Sequence, residues 1–352
     1  MSLKILYLYT ELGPYNIPVI RELVAEYGAE VHVVLRDKGR LKPYEPPGIA
    51  GARLYKRSDF TASGILALAK DISPSIVYVS GWMDKGYLPT ARHFRSRGVP
   101  VVSGFDDLWV ASARQRLGTI AFPLIYGSAF SHAWVAGPRQ YEFAKRLGFP
   151  DKNVIFDMLT CDYPLFSQAG SRVEEKQSAY PNVFLYVGNF RSVKGTDILV
   201  EAFRRYRRSL GGSWSLLCVG NGELRGLLER EASVEVRGFS SQDELVSLCG
   251  QAGAFVLPSR HDQWGVVVHE FASAGLPLIL SENVGAKATF LIGGFNGTSY
   301  PSNSPRELAA AMAWMSSRTS EDLVAMGRNS TVLASKITPS TSAANLMSLL
   351  ER

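Results

Sequence analysis

Short runs that are apolar on both faces alternate with helical patterns along nearly the whole chain, and this alternation restricts the fold more than any other feature. In the first half the runs are Leu3–Tyr9, Val31–Leu35, Ile76–Val79, Val99–Ser103, Ala133–Val135 and Val154–Phe156. Helical spacing at Ile17–Tyr27, Lys85–Arg97 and Gln140–Leu147 separates several of them. The second half repeats the scheme with Val183–Val187, Ser215–Val219, Val234–Val236, Ala254–Leu257 and Pro277–Leu280. Its helices are expected over Thr196–Leu210, Glu223–Glu231, Gln242–Cys249 and Val266–Ala274. Strands of this kind, joined by helices, form buried parallel sheets. The predicted class is therefore α/β, with two doubly wound, Rossmann-like units facing a cleft. A length of 352 residues suits two domains.

The boundary is expected between Asp162 and Tyr180, where Gln168–Ser171 and Glu174–Ser178 are polar without periodicity and read as a linker or surface excursion. This gives an N-terminal Rossmann-like domain at residues 1–163, a second Rossmann-like domain at 164–335, and a C-terminal helix at 336–352 packing back on the first domain. An apolar content of 46% with 20% charged residues excludes wholesale disorder. Cys161, Cys218 and Cys249 are too scattered for a disulfide scaffold or a metal pair and suit a reducing cytoplasm. The opening strand is too short for a signal-peptide core, so a cytoplasmic protein is expected.

The net charge of +6 lies entirely in one half: residues 1–160 hold 20 Lys and Arg against 14 Asp and Glu, whereas residues 161–352 hold 18 of each. The excess gathers at Arg36, Lys38, Arg40, Lys42, Arg53, Lys56 and Arg57, then at Arg92, Arg95, Arg97, Arg114 and Arg116. Such a face meets anionic lipid, nucleic acid or a phosphorylated substrate, or is simply solvated. From Leu117 to Pro138 there is no Asp, Glu, Lys or Arg. Gly118, Pro123, Gly127, Ser128, Ser131 and His132 argue against a lipid-spanning helix there. A helix followed by a buried strand fits better, with the helix a candidate lipid-surface contact.

Ligands of open α/β sheets bind at the carboxyl ends of strands, and the chemistry-bearing residues fall there. After Val183–Val187 comes Gly188-Asn189-Phe190-Arg191-Ser192-Val193-Lys194-Gly195, then a helix. Cations ahead of a helix N-terminus suit a phosphate or diphosphate, although a surface Lys is the common alternative. After Ala254–Leu257 comes Pro258-Ser259-Arg260-His261-Asp262-Gln263-Trp264-Gly265, with a helix from about Gly265 to beyond Glu270. The amides of Val266 and Val267 would hold a diphosphate, and Glu270 lies roughly 7–8 Å along the helix from Gly265, within reach of a ribose. The alternative for Glu270 is a helix-surface carboxylate. Asp106 and Asp107 follow Val99–Ser103 and suit sugar hydroxyls or an acceptor proton, or else a helix N-cap with a surface acid. Trp82, after Ile76–Val79, is a second acceptor-side candidate or a core Trp. The five histidines make no metal-ligand pattern, and Gly220-Asn221-Gly222-Glu223 lacks the third glycine of a dinucleotide loop.

Arg237-Gly238-Phe239, Ala254–Ser259, the Asp262-x7-Glu270 spacing, Ala274-Gly275-Leu276-Pro277 and Phe295-Asn296-Gly297 occur in that order. The series resembles the retaining nucleotide-sugar glycosyltransferases of family four, which have the GT-B fold. It runs from about Val183 to Met315; over residues 1–160 the likeness is mainly topological. The resemblance implies that Glu270 binds the ribose, Asp262 faces the donor sugar, Lys194 holds the diphosphate, and Gly238 and Phe239 lie beside the nucleobase. Asp106 stands where the family places a histidine near the reacting sugar. Asn189 replaces the usual Arg after the strand glycine, leaving Arg191 as its substitute. The first family acid is usually Glu, so Asp262 is one methylene shorter, and the N-terminal glycine pair is reduced to Gly13. The implied activity is retaining transfer from a UDP- or GDP-sugar to a saccharide or lipid-linked acceptor, without metal or cofactor. The expected setting is cell-envelope polysaccharide or lipopolysaccharide synthesis, peripheral at the inner membrane face, on an anionic membrane surface and without nucleic acid. A non-catalytic scaffold or partner subunit, or a sugar-nucleotide epimerase, is the alternative.

Overall fold

The computed structural model describes residues 2–37 and 47–351. Lys38, Arg40 and Lys42 of the expected basic cluster lie outside the described residues. Contacts divide the chain into one unit of Met1–Thr160 with Ile337–Arg352 and a second of Cys161–Lys336.

The first unit is a parallel sheet of seven strands: β1 (Lys4–Tyr9), β2 (Glu30–Leu35), β3 (Ala52–Lys56), β4 (Ile76–Val79), β5 (Val101–Phe105), β6 (His132–Val135) and β7 (Val154–Ile155). Their order, β3-β2-β1-β4-β5-β6-β7, reverses direction at β1, so ligand-sized space opens beyond the ends of β1 and β4. The helices are α1 (Ile17–Ala25), α2 (Ala62–Ile72), α3 (Leu88–Arg95), α4 (Ala113–Tyr126) and α5 (Pro138–Arg146). Thr61 and Ser112 cap α2 and α4 by accepting from the amides of Gly64 and Gln115.

The second unit has six parallel strands: β8 (Val183–Val187), β9 (Ser215–Val219), β10 (Val234–Arg237), β11 (Ala254–Leu257), β12 (Leu278–Ser281) and β13 (Gly297–Tyr300). Their order is β10-β9-β8-β11-β12-β13, with the switch between β8 and β11. Its helices are α6 (Tyr163–Gly170), α7 (Thr196–Ser209), α8 (Arg225–Glu229), α9 (Gln242–Cys249), α10 (Val266–Ser273), α11 (Lys287–Phe290), α12 (Pro305–Ser316) and α13 (Ser320–Ala334). The last helix, α14 (Pro339–Met347), packs on α1 in the first unit. The β8–β11 switch sets the two motif loops of the second half side by side.

The segment read as a linker or surface excursion is a structured stretch at the surface. Gln168–Gly170 ends α6, capped by Asp162, and Val173–Ser178 is a 3-10 turn. Lys176 is buried there and donates to the carbonyls of Cys249 and Ala252 at 2.7 and 2.9 Å, which satisfies the open end of α9. Burial pushes its ammonium down to about 8. Gly170 allows α6 to sit against α10, because a Cβ there would meet the Ser273 carbonyl at 2.2 Å. Polar composition misleads here because the charged face is solvated while Phe166 and Val173 face inward.

Candidate functional site

The two motif loops of the second unit are bound to each other. After β8, the backbone runs through Asn189 and Arg191 into a 3-10 turn at Ser192–Lys194 and enters α7 through Gly195. Gly195 has φ +71°, and a Cβ on it would stand 2.0 Å from the Pro258 carbonyl, so only glycine lets this turn lie against the end of β11. Across the gap, the Arg260 amide donates to the Val193 carbonyl at 3.0 Å. The Arg260 guanidinium makes a two-pronged pair with Asp197 at 2.6 and 2.7 Å, and its hydrogen bonds hold the Asp197 carboxyl below its ordinary range.

Lys194 and Asp262 are in direct contact: Nζ donates to Oδ2 at 2.6 Å. The Ser259 hydroxyl donates to the same oxygen at 3.1 Å, and Asp262 is buried. Its backbone is fixed as well, the amide donating to Asn283 and the carbonyl accepting from Gly285. The ammonium therefore stands at a set position rather than swinging on a free stem. Arg191 and Asn189 are exposed beside it, and among the described residues Arg191 makes no ion pair.

Helix α10 starts at Val266 from Gly265, whose φ of +89° is the left-handed region. No side chain caps this helix. The amides of Val266 and Val267 belong to the first turn, which lacks intrahelical acceptors, so they present the positive end of the helix to whatever lies ahead. Beside them the indole N–H of buried Trp264 has no hydrogen-bond partner among the described residues. Glu270 follows one turn on. Burial drives its carboxyl up to about 7, with Asp162 adding to the rise, while a long contact from the Gln242 amide at 3.5 Å opposes it. Gly238 and Phe239 follow β10, and the Phe239 ring is 85% exposed, a large apolar face with little protein around it.

His269 precedes Glu270 on α10 and is fully buried. Its Nδ1 accepts from the Cys161 amide at 3.0 Å, which leaves Nε2 as the donor to the Ala334 carbonyl at 3.1 Å.

The first unit contains its own cavity of about 770 Å³, beyond the ends of β1, β4 and β5. Asp106, Trp82, Tyr9, Tyr15 and Tyr78 line it. Asp106 and Trp82 thus reach one cavity from separate loops. Trp82 meets Phe122 and Phe105 edge-on, with ring centroids 4.9 and 5.5 Å apart. Burial raises the Tyr9 phenol to about 12 and pushes Tyr15 and Tyr78 up further, so all three carry their protons at neutral pH. Gly13 is not in the cavity lining; it starts the 3-10 turn before α1, with its amide bonded to the Asn16 side chain.

Sequence reasoning left two parts of this arrangement out. Gly220 and Gly222 support the loop after β8: side chains there would meet the carbonyls of Gly188 and Phe190 at 2.0 and 2.4 Å. Their spacing in the sequence resembles an incomplete dinucleotide motif, which hides this supporting role. The tyrosines of β1 and β4 read as strand core, and the period-two pattern does not say that their hydroxyl ends reach a cavity.

Residues 170–332 match the family described as glycosyl transferases group 1. Among curated proteins, glycogen synthase of Mycobacterium tuberculosis is 33% identical over 139 residues, covering 38% of this chain and 33% of the relative. The D-rhamnosyltransferase WbpZ of Pseudomonas aeruginosa is 30% identical over 171 residues, covering 46% of this chain and 43% of the relative. The aligned stretches thus span about a third to somewhat under half of these relatives. Among solved structures, Anabaena HepE in complex with UDP superposes with a TM-score of 0.74 over 99% of this chain and 100% of that one, at 16% identity. That likeness concerns the fold, which is two Rossmann-like units of the GT-B type.

Proposed function

We propose, for a chain whose residues 170–332 belong to the group 1 glycosyltransferases, that it moves a sugar from a nucleotide diphosphate-sugar to a saccharide or lipid-linked acceptor. The observation that carries this reading is the fixed Lys194 ammonium in the second unit, which also presents the uncapped start of α10. Both offer positive charge to an anion without a metal ion. Lys194, Arg191 and the Val266 and Val267 amides receive the charge that develops on the departing diphosphate, usually the largest catalytic contribution. Glu270 takes the ribose hydroxyls, Phe239 and Gly238 flank the base, and Asp262 orients donor hydroxyls while holding Lys194. Anabaena HepE has been solved with UDP-glucose, which supports a UDP-sugar as the first donor to test, with GDP-sugars next.

The anomeric carbon–diphosphate bond breaks and the acceptor oxygen attacks from the same face. Its proton passes to the departing diphosphate oxygen, so the configuration is retained and no protein nucleophile is used. Asp106 acts on the acceptor side, in the aromatic cavity. A lipid-linked acceptor would place the reaction in envelope polysaccharide or lipopolysaccharide assembly.

The test is a thermal-shift panel with UDP, GDP, ADP, NAD and UDP- and GDP-sugars, with Mg²⁺ and with EDTA. Ligand at about 100 times its dissociation constant stabilises by about 2.7 kcal/mol. Stabilisation by one nucleotide family, undiminished by EDTA, is expected. No response to any nucleotide would overturn the reading and favour a scaffold that has lost the chemistry.

A further inference from the structure

Helix α4 is apolar on two opposite faces. Phe122 and Tyr126 point inward, into the aromatic wall of the first unit's cavity. On the other side Leu117, Ile120 and Leu124 are 70%, 72% and 86% exposed. Their spacing of three and four residues sets them in one row, about 10 Å long at 1.5 Å per residue. Ile125, about half exposed, lies at the edge between the row and the cavity and also lines the cavity.

Three large aliphatic side chains in line on a solvent-facing helix mark a contact surface, whereas single exposed apolar residues do not. The charge around them selects the partner. Helix α4 has no acidic residue, and Arg114 and Arg116 fall on opposite flanks of the row. At its other end the Arg92 guanidinium donates to the Ile125 carbonyl at 3.0 Å, adding a third cation. An apolar row bordered by arginines complements an anionic lipid surface: aliphatic groups enter the acyl boundary and guanidinium groups meet headgroup phosphates. Among the described residues no helix is long and apolar enough to cross a membrane, so this contact lies in the interface plane.

We infer that α4 seats the protein on an anionic membrane and that its inner face receives the head of a lipid-linked acceptor. One helix then borders both the bilayer and the cavity holding Asp106 and Trp82. The acceptor class is an amphiphile whose saccharide enters the cavity while its chain stays in the bilayer. The acceptor part of this inference rests on the glycosyltransferase reading; the membrane contact does not.

The full chain is sedimented with vesicles of pure phosphatidylcholine and with vesicles containing 30% phosphatidylglycerol by design, at low and high salt. Pelleting is expected with anionic vesicles, with a large decrease at high salt. The triple variant Leu117→Ser, Ile120→Ser, Leu124→Ser should lose at least tenfold in vesicle affinity. These side chains are already exposed, so its melting temperature and nucleotide response should match those of the parent chain. Equal pelleting of parent and variant, or none by either, would overturn the membrane contact. A concentration-dependent dimer in sedimentation velocity that the triple variant abolishes would also overturn it, assigning the row to a second copy. Vesicle binding without any nucleotide response would leave the contact standing while removing the glycosyltransferase reading.

Discussion

The second unit offers charge and backbone: Lys194 pinned on Asp262, Arg260 clasping Asp197, and bare amides at the start of α10. The first unit offers a roomy aromatic cavity in which the acid Asp106 stands among tyrosine hydroxyls and the Trp82 ring. On the proposed function, the contrast follows from what each half would hold. A diphosphate has one shape and a fixed charge, so a rigid cationic turn fits every member of the class. Acceptors vary, and aromatic faces with neutral hydroxyls accommodate many sugars because stacking and hydroxyl bonding tolerate small displacements.

The sharpest way to break this comparison is Lys194→Ala. Turnover should fall by roughly 10²–10³-fold if the ammonium meets the diphosphate charge. The same change strands the buried Asp262 carboxylate, so the melting temperature should also drop. The double change Lys194→Ala, Asp262→Ala should recover stability without recovering turnover. Full activity of the single variant in a sugar-transfer assay would remove Lys194 from the chemistry.

Trp82→Ala tests the other side. Deleting a ring packed on Phe105 and Phe122 should cost about 2–4 kcal/mol, read by calorimetry on the first unit's transition. Nucleotide-induced stabilisation should survive unchanged. A lost nucleotide response would mean that the two halves do not work as separate recognition surfaces.

The smallest effect concerns Glu270. Its carboxyl titrates at about 7 in the folded chain against an ordinary 4.5, so the folded state keeps a proton through that window that the unfolded chain has released. Stability therefore falls as pH rises from about 4.5 to about 7 and levels off above it. The residue retains some solvent contact, which limits the loss to about 1–2 kcal/mol. Glu270→Gln should remove this slope, matching the parent near pH 4 and exceeding it at pH 8 in urea unfolding. A variant with the parent's pH slope would show that another group titrates.

The two halves were unequally legible for a physical reason. Tight glycine turns and charges at fixed offsets are local requirements, so Gly195, Gly265, Lys194, Asp262 and Glu270 leave a readable order in the chain. The cavity of the first unit draws its lining from the ends of several strands and from α4, and each piece taken alone looks like core. One edge of each sheet is hidden in the same way, although β7 and β10 at the opposite edges are legible. In β3, Ala-Arg-Leu-Tyr-Lys is largely solvent-facing, and β13, Gly-Thr-Ser-Tyr, is short and polar, so neither shows the buried run that marked the central strands. Helix α2 keeps Ile65, Ala69 and Ile72 on one face, a helical spacing carried by only three side chains.

The imidazole of His269 has a consequence for slow opening motions. The chain passes out of the first unit just before Cys161 and returns to it just after Lys336. One ring grips the backbone close to both crossings, at the Cys161 amide and the Ala334 carbonyl. Fraying at either crossing must therefore release the helix that carries Glu270, or break a bond to its imidazole first. The Cys161 amide should exchange with solvent deuterium on the schedule of α10 rather than on that of a loop, and a nucleotide that tightens α10 should slow that exchange without touching Cys161.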